Sequence, residues 1–115
     1  MRIRLLKSKI HRATVTDRNL DYTGSITIDQ DLMDAAGILP YEQVLVADVN
    51  NGSRHETYAV AGPRGSGTIC VMGAAAHLVQ TGDKIIIMAW ADLEAEEAQS
   101  HKPRVVVVDG GNRKK

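Results

Sequence analysis

Leu20-Asp21-Tyr22-Thr23-Gly24-Ser25-Ile26-Thr27-Ile28-Asp29-Gln30-Asp31-Leu32-Met33-Asp34-Ala35-Ala36-Gly37 carries three signals in one short stretch. Ser25 to Ile28, rich in β-branched residues, reads as a strand. Asp29 is placed to cap a short helix through Ala36, with Leu32, Met33 and Ala36 on one face and Gly37 closing it. The third signal is the Gly24-Ser25 step. A serine hydroxyl lies close to the carbonyl of the residue before it. If that carbonyl is polarised and the backbone held under strain, the hydroxyl can attack it and shift the acyl group from nitrogen to oxygen. Gly24, with no side chain, permits the close approach and unusual dihedrals this needs. The ester so formed can eliminate and leave a keto group at a new amino terminus. That would be an electron sink without any bound cofactor. Gly-Ser is also among the commonest loop dipeptides, so its meaning depends on its surroundings.

Outward from this stretch, short β-branched and aliphatic runs alternate with turn signals. Ile3 to Leu6 and Ile10 to Val15 read as strands. Gln43 to Val49 and Arg54 to Val60 flank Asn50-Asn51-Gly52-Ser53, a hairpin signal. Gly62-Pro63-Arg64-Gly65-Ser66-Gly67 is a loop, and Thr68 to Val71 another strand. Ala74 to Gln80 reads as a second short helix ended by Gly82, followed by a strand from Lys84 to Trp90. Glu94 to Gln99 fits a last helical turn or two, and Val105 to Val108 a final strand. Many short strands, two small helices and no βαβ rhythm predict an all-β dominated fold, a closed β-barrel with short helices.

The 115 residues suffice for one domain, 1–115, with a modest core. Fourteen basic and fourteen acidic residues cancel, so no basic field argues for nucleic acid or an anionic membrane surface. No run of about 18 apolar residues exists to span a bilayer. Charges interrupt the apolar residues of Met1 to Lys7, which does not suit a signal peptide. The single Cys70 excludes an internal disulfide and fits a reducing cytoplasm, the expected location. His55, His77 and His101 form no metal-ligand spacing. Arg64-Gly65-Ser66-Gly67 lacks the Lys-Ser/Thr ending of a phosphate loop.

The runs Lys9-Ile10-His11-Arg12-Ala13-Thr14-Val15-Thr16 and Tyr22-Thr23-Gly24-Ser25-Ile26-Thr27-Ile28 resemble the pyruvoyl-dependent aspartate 1-decarboxylase family. So do Arg54, Thr57-Tyr58, Gly73-Ala74-Ala75-Ala76-His77 and Gly82-Asp83, over roughly residues 3 to 108 in the family's order and spacing. The resemblance implies a double-psi β-barrel, a homotetramer, and self-cleavage between Gly24 and Ser25 into chains 1–24 and 25–115. Ser25 then becomes a covalent pyruvoyl group. In processing, Thr57 would stabilise the oxyanion that develops on the Gly24 carbonyl. In turnover, the pyruvoyl group would condense with the amine of L-aspartate, withdraw electrons from its α-carbon and allow loss of one carboxylate. The product is β-alanine, a precursor of pantothenate and coenzyme A.

Site roles follow from the same resemblance. Tyr58 is the proton donor. Arg54, with its bidentate fork, and Lys9, a point charge, hold the two substrate carboxylates. Gly73, Ala74 and Ala75 offer backbone amides to the substrate, and Thr57 lies beside it. His11 and Tyr22 supply supporting hydrogen bonds. On a strand, Thr57 and Tyr58 face opposite sides, so a turn or a neighbouring subunit must bring both to one site. One position departs: the family usually carries Asn before Gly-Ala-Ala-Ala, and this sequence has Met72, with no amide donor. On that account self-cleavage is expected to be slow or incomplete, and a pyruvoyl decarboxylase for another amino acid is an alternative; a maturation factor is a further candidate partner. A rival from another class is an AbrB-like swapped-hairpin DNA-binding barrel, suggested by the strand-helix pattern from Ile26 to Ile38. The zero net charge weighs against it.

Overall fold

The computed structural model describes residues 1–115. The strands are β1 (Arg2–Thr14), β2 (Asp17–Asn19), β3 (Ser25–Asp29), β4 (Gln43–Asp48), β5 (Arg54–Gly62), β6 (Ile69–Met72), β7 (Lys84–Glu94) and β8 (Arg104–Val107). Two short helices, α1 (Gln30–Ala36) and α2 (Ala95–Ala98), and a 3-10 turn, Gly73–Leu78, complete the chain. The strands form one mixed sheet in the order β2-β6-β3-β5-β4-β7-β1-β8. Only Val15 and Thr16 separate β1 from β2, so the chain itself links the two ends of the sheet. The Thr16 N–H donates to the Ile69 carbonyl (2.8 Å), which ties that link to the start of β6. The sheet therefore wraps around a single core that includes Ile10, Ile26, Ile28, Val46, Val71 and Ile87. Each such side chain, fully buried, contributes about 1.5–3 kcal/mol relative to exposure.

Twice, consecutive strands running in opposite directions straddle a third. β2 and β3 flank β6, the first parallel to it and the second antiparallel. β7 and β8 flank β1 in the same way, antiparallel and parallel. Two such straddling connections are the double-psi pattern expected above, in a strand-dominated barrel with short helices.

Several boundaries differ from the sequence reading. β1 is one strand rather than two, because β7 and β8 pair with it on both sides and carry the ladder through Lys7 to Lys9. Register shifts at Leu6/Ser8 and Ile10/Ala13 absorb the change of phase, and Arg12 adopts φ 63° at the second. β2 has no hydrophobic pattern at all and exists because β6 pairs with it. The stretch after Met72 is a tight 3-10 turn, and Gly82 does not end it. Val79, buried in the core, turns extended and stops it first. β7 runs on to Glu94 because the first half of β1 pairs with it, with Arg4 and Asp92 joined at 2.9 Å.

Asp29 anchors the strand that begins at Ser25. Its carboxylate caps α1 at the Asp31 N–H (2.9 Å) and accepts from Gly65 N–H (3.1 Å) and Gly67 N–H (2.9 Å). Burial pushes this carboxyl up, but the three backbone donors outweigh it and hold it below the usual carboxylate range. At the other end of α1, Gly37 closes the helix at φ 70°, where L-residues with a side chain are strained.

Candidate active site

β6 is the pivot of the site. Its last residue, Met72, pairs with Asn19 of β2 on one side and with Ser25 of β3 on the other. Residues 20–24 must therefore cross the end of β6 within that short span. The crossing is exposed at Leu20 and Tyr22, and the chain becomes buried at Ser25, which is 5 % exposed. The Gly24-Ser25 peptide lies at that transition. Beneath it sits Gly73, at φ 82°: a Cβ there would fall 2.6 Å from Gly24 Cα and 2.8 Å from Gly24 N. Gly24 itself has room, since its own Cβ would meet nothing closer than the Met72 carbonyl oxygen at 4.0 Å.

The other flank of β3 is β5. Their parallel register pairs Ile26 with Ala59. Continued toward the amino terminus, it sets Ser25 level with Tyr58 and Gly24 level with Thr57. The two β5 residues thus lie beside the two residues of the step. Along β5, Arg54, Glu56 and Tyr58 are exposed, whereas His55, Thr57 and Ala59 are half-buried or buried. Thr57 and Tyr58 accordingly address the step from opposite faces. Tyr58 stacks at a tilt against Tyr41, with ring centroids 6.3 Å apart. Tyr41 escaped the sequence reading. Its only signal was a position after Pro40 in a turn, which the fold uses at φ 70° to bring the Tyr41 N–H onto the Ala59 carbonyl (2.7 Å).

Burial pushes the His55 imidazole below its usual pKa, and neither ring nitrogen has a partner in the chain. His55 is thus a neutral neighbour of Thr57. Arg54 makes no ion pair within the chain, so its guanidinium is available to a ligand carboxylate. Ala74 and Ala75 follow Gly73 into the 3-10 turn, whose first amides are capped by no side chain, Met72 offering none.

Lys9 and His11 are elsewhere. Both lie on β1, and β5, β4 and β7 separate β1 from β3 in the sheet. His11 is half-buried with its Nδ1 unpartnered, and Lys9 makes no ion pair. Tyr22 is on the crossing but exposed. Strand register thus groups Gly24, Ser25, Thr57, Tyr58, Met72 and Gly73, whereas Lys9 and His11 stand on β1, which pairs with β7 and β8 and not with β3, β5 or β6. The assembled part joins a hydroxyl nucleophile to a carbonyl in a tightly supported turn, with a hydroxyl and a phenol alongside. It is equipped for acyl transfer within the chain and for proton delivery.

The family model described as "Aspartate decarboxylase" matches residues 1–115. An "Aspartate 1-decarboxylase" of Caldicellulosiruptor saccharolyticus is 62% identical over 113 residues, which cover 98% of this chain and 88% of that protein. The protein of the same name from Lactiplantibacillus plantarum is 61% identical, over 98% of this chain and 87% of its own length. Another, from Neisseria meningitidis, is 57% identical over 95% of this chain and 86% of its own.

Proposed function

The chain belongs to the aspartate decarboxylase family, and from that membership we infer that it releases carbon dioxide from L-aspartate and leaves β-alanine. The observation that carries this reading is the family match along all 115 residues. It also sets aside the DNA-binding alternative. By the family's role, β-alanine goes on to pantothenate and coenzyme A. The lone Cys70 thiol, buried on β6 and raised in pKa by burial, suits a reducing cytoplasm.

Activity depends on a pyruvoyl group made from Ser25. The Ser25 Oγ attacks the Gly24 carbonyl carbon and forms an ester as the Gly24-Ser25 C–N bond breaks. The hydroxyl proton passes to the nitrogen. Loss of the residue-25 α-proton expels the Gly24 carboxylate, which ends chain 1–24. Water then replaces the nitrogen as ammonia, leaving the keto group at the head of chain 25–115. Residues here fit that group, since it occupies the volume of the buried Ser25 side chain and needs no further cavity. Thr57, level with Gly24, donates its hydroxyl to the carbonyl oxygen as negative charge develops there.

Once formed, the group withdraws electrons from the substrate α-carbon. The chain's own residues do the rest. Arg54 and Lys9 bind the two carboxylates, and the amides of Gly73, Ala74 and Ala75 assist. Tyr58 delivers a proton to the carbon that lost its carboxylate. His11 and Tyr22 hold neighbouring groups in place. The place of Lys9 and His11 on β1, which pairs with none of the strands that flank Ser25, supports a site completed by a neighbouring copy, in a closed homotetramer. One preparation tests these points. It should read as a tetramer by light scattering at micromolar concentration and yield carbon dioxide and β-alanine in equal amounts. Arg54→Lys keeps the charge and loses the fork, so aspartate binding should weaken by about 1–3 kcal/mol. A fully active monomer would rule out the shared site, and an unchanged KM would remove Arg54 from it.

Met72, paired with Ser25, provides no amide donor where the family usually has one. We expect Met72→Asn to accelerate self-cleavage, because one well-placed oxyanion donor is worth about 2.7–4 kcal/mol. Backbone amides of Gly73 or Ala74 that already compensate would shrink the gain. Cleaved fractions followed over time under identical incubation decide it. Equal rates would mean that Met72 merely fills space beside the step. A maturation factor that speeds wild-type cleavage but not that of Met72→Asn would mark the same defect.

A further inference from the structure

Gly73 has two separable reasons to be glycine. Its backbone is left-handed, at φ 82°, and its absent Cβ would collide with Gly24 Cα at 2.6 Å, Gly24 N at 2.8 Å and the Tyr22 carbonyl oxygen at 3.1 Å. All three are backbone atoms, so none can rotate away. Gly82 and Gly52 share the first reason only. They sit at φ 95° and 77° with nothing within 4 Å of the missing Cβ.

The contact follows from the topology. Asn19 and Ser25 are both paired with Met72, so the 20–24 crossing is drawn down onto the next residue of the chain. We propose that Gly73 is a positioning residue for self-cleavage, its bare Cα serving as the platform that holds the Gly24 backbone against the Ser25 hydroxyl. This rests on the self-cleavage reading above. On one side the peptide is fixed by the Ser25–Met72 ladder, on the other by Gly73. Its carbonyl carbon is thereby kept within reach of Oγ for the step in which the Oγ–C bond forms, the C–N bond breaks and the hydroxyl proton moves to nitrogen. A methyl group on the platform lifts Gly24 and breaks that alignment. Misplacement by about 1 Å costs on the order of 10²-fold in rate.

The test compares wild type, Gly73→Ala, Gly73→Asn and Gly82→Ala by intact mass over time, with and without hydroxylamine, which cuts an accumulated ester. Asn tolerates the left-handed conformation, so it retains the collision with little backbone strain. Gly82→Ala carries the strain without the collision. Wild type and Gly82→Ala should cleave at equal rates. Both Gly73 variants should fold, cleave about 10²-fold more slowly, and gain nothing from hydroxylamine, because the slowed step precedes the ester and none accumulates. Folded Gly73 variants that cleave at the wild-type rate would overturn the proposal. So would rescue by hydroxylamine, which would move the role of Gly73 past the acyl shift, and so would unfolding of both variants beside a folded Gly82→Ala. Wild type that does not cleave would instead overturn the self-cleavage reading itself.

Discussion

Ser25→Ala should remain a single 115-residue chain, folded and without decarboxylase activity. The substitution removes one oxygen from a side chain that is 5 % exposed at the head of β3. Alanine fills nearly the same volume, and the pairing of residue 25 with Met72 uses backbone groups alone. The barrel should therefore survive. What disappears is the hydroxyl that directly follows the Gly24 carbonyl, and with it the proposed origin of the keto group. Wild type should appear in a denaturing mass spectrum as residues 1–24 and residues 25–115. The longer chain should resist Edman sequencing for want of a free amine. A wild-type spectrum holding only the intact 12.5 kDa chain after prolonged warming would defeat autonomous processing. Cleavage of Ser25→Ala at the same bond would defeat the mechanism.

Tyr58→Phe should process normally and then stall. The ring stays packed against Tyr41, since its shape is unchanged and only the phenolic O–H is lost. Cleavage draws on Gly24, Ser25, Thr57 and Gly73, so it should proceed at the wild-type rate. Protonation of the substrate carbon should slow by about 10²–10⁴, the usual worth of a positioned acid. Aspartate should still become attached to chain 25–115, and borohydride should make that attachment permanent and visible as added mass. A variant that forms β-alanine at the wild-type rate would reduce Tyr58 to a packing partner of Tyr41. Failure to retain any substrate mass would place Tyr58 in binding rather than in proton delivery.

Much of the architecture could be read locally. The Asp29 cap, the α1 face and the Gly37 stop depend on residues within one or two helical turns, and all three appear as expected. The hairpin at Asn50 to Ser53 is likewise a local event: Gly52 takes φ 77° and Ala47 pairs with Arg54. β2 was invisible because Asp17-Arg18-Asn19 has no pattern, and its strand character comes from β6, more than fifty positions later in the chain. The end of the 3-10 turn escaped for a similar reason. Burial of Val79 in the core overrode the nearby glycine signal.

The chemistry divides along the same line. Residue identities alone determined which groups could react: a hydroxyl after a glycine, a phenol beside a threonine, an unbranched thioether where the family has an amide. Those are properties of single side chains and their immediate neighbours, and no folding is needed to read them. Only the tertiary structure decided that Met72 lies opposite Ser25, that Thr57 and Tyr58 flank the step, that Gly73 supports Gly24, and that Lys9 stands on a strand that pairs with neither β3 nor β5. Each is a consequence of strand order and register. In a double-psi sheet the neighbours of a strand come from distant parts of the chain, so no local pattern records them.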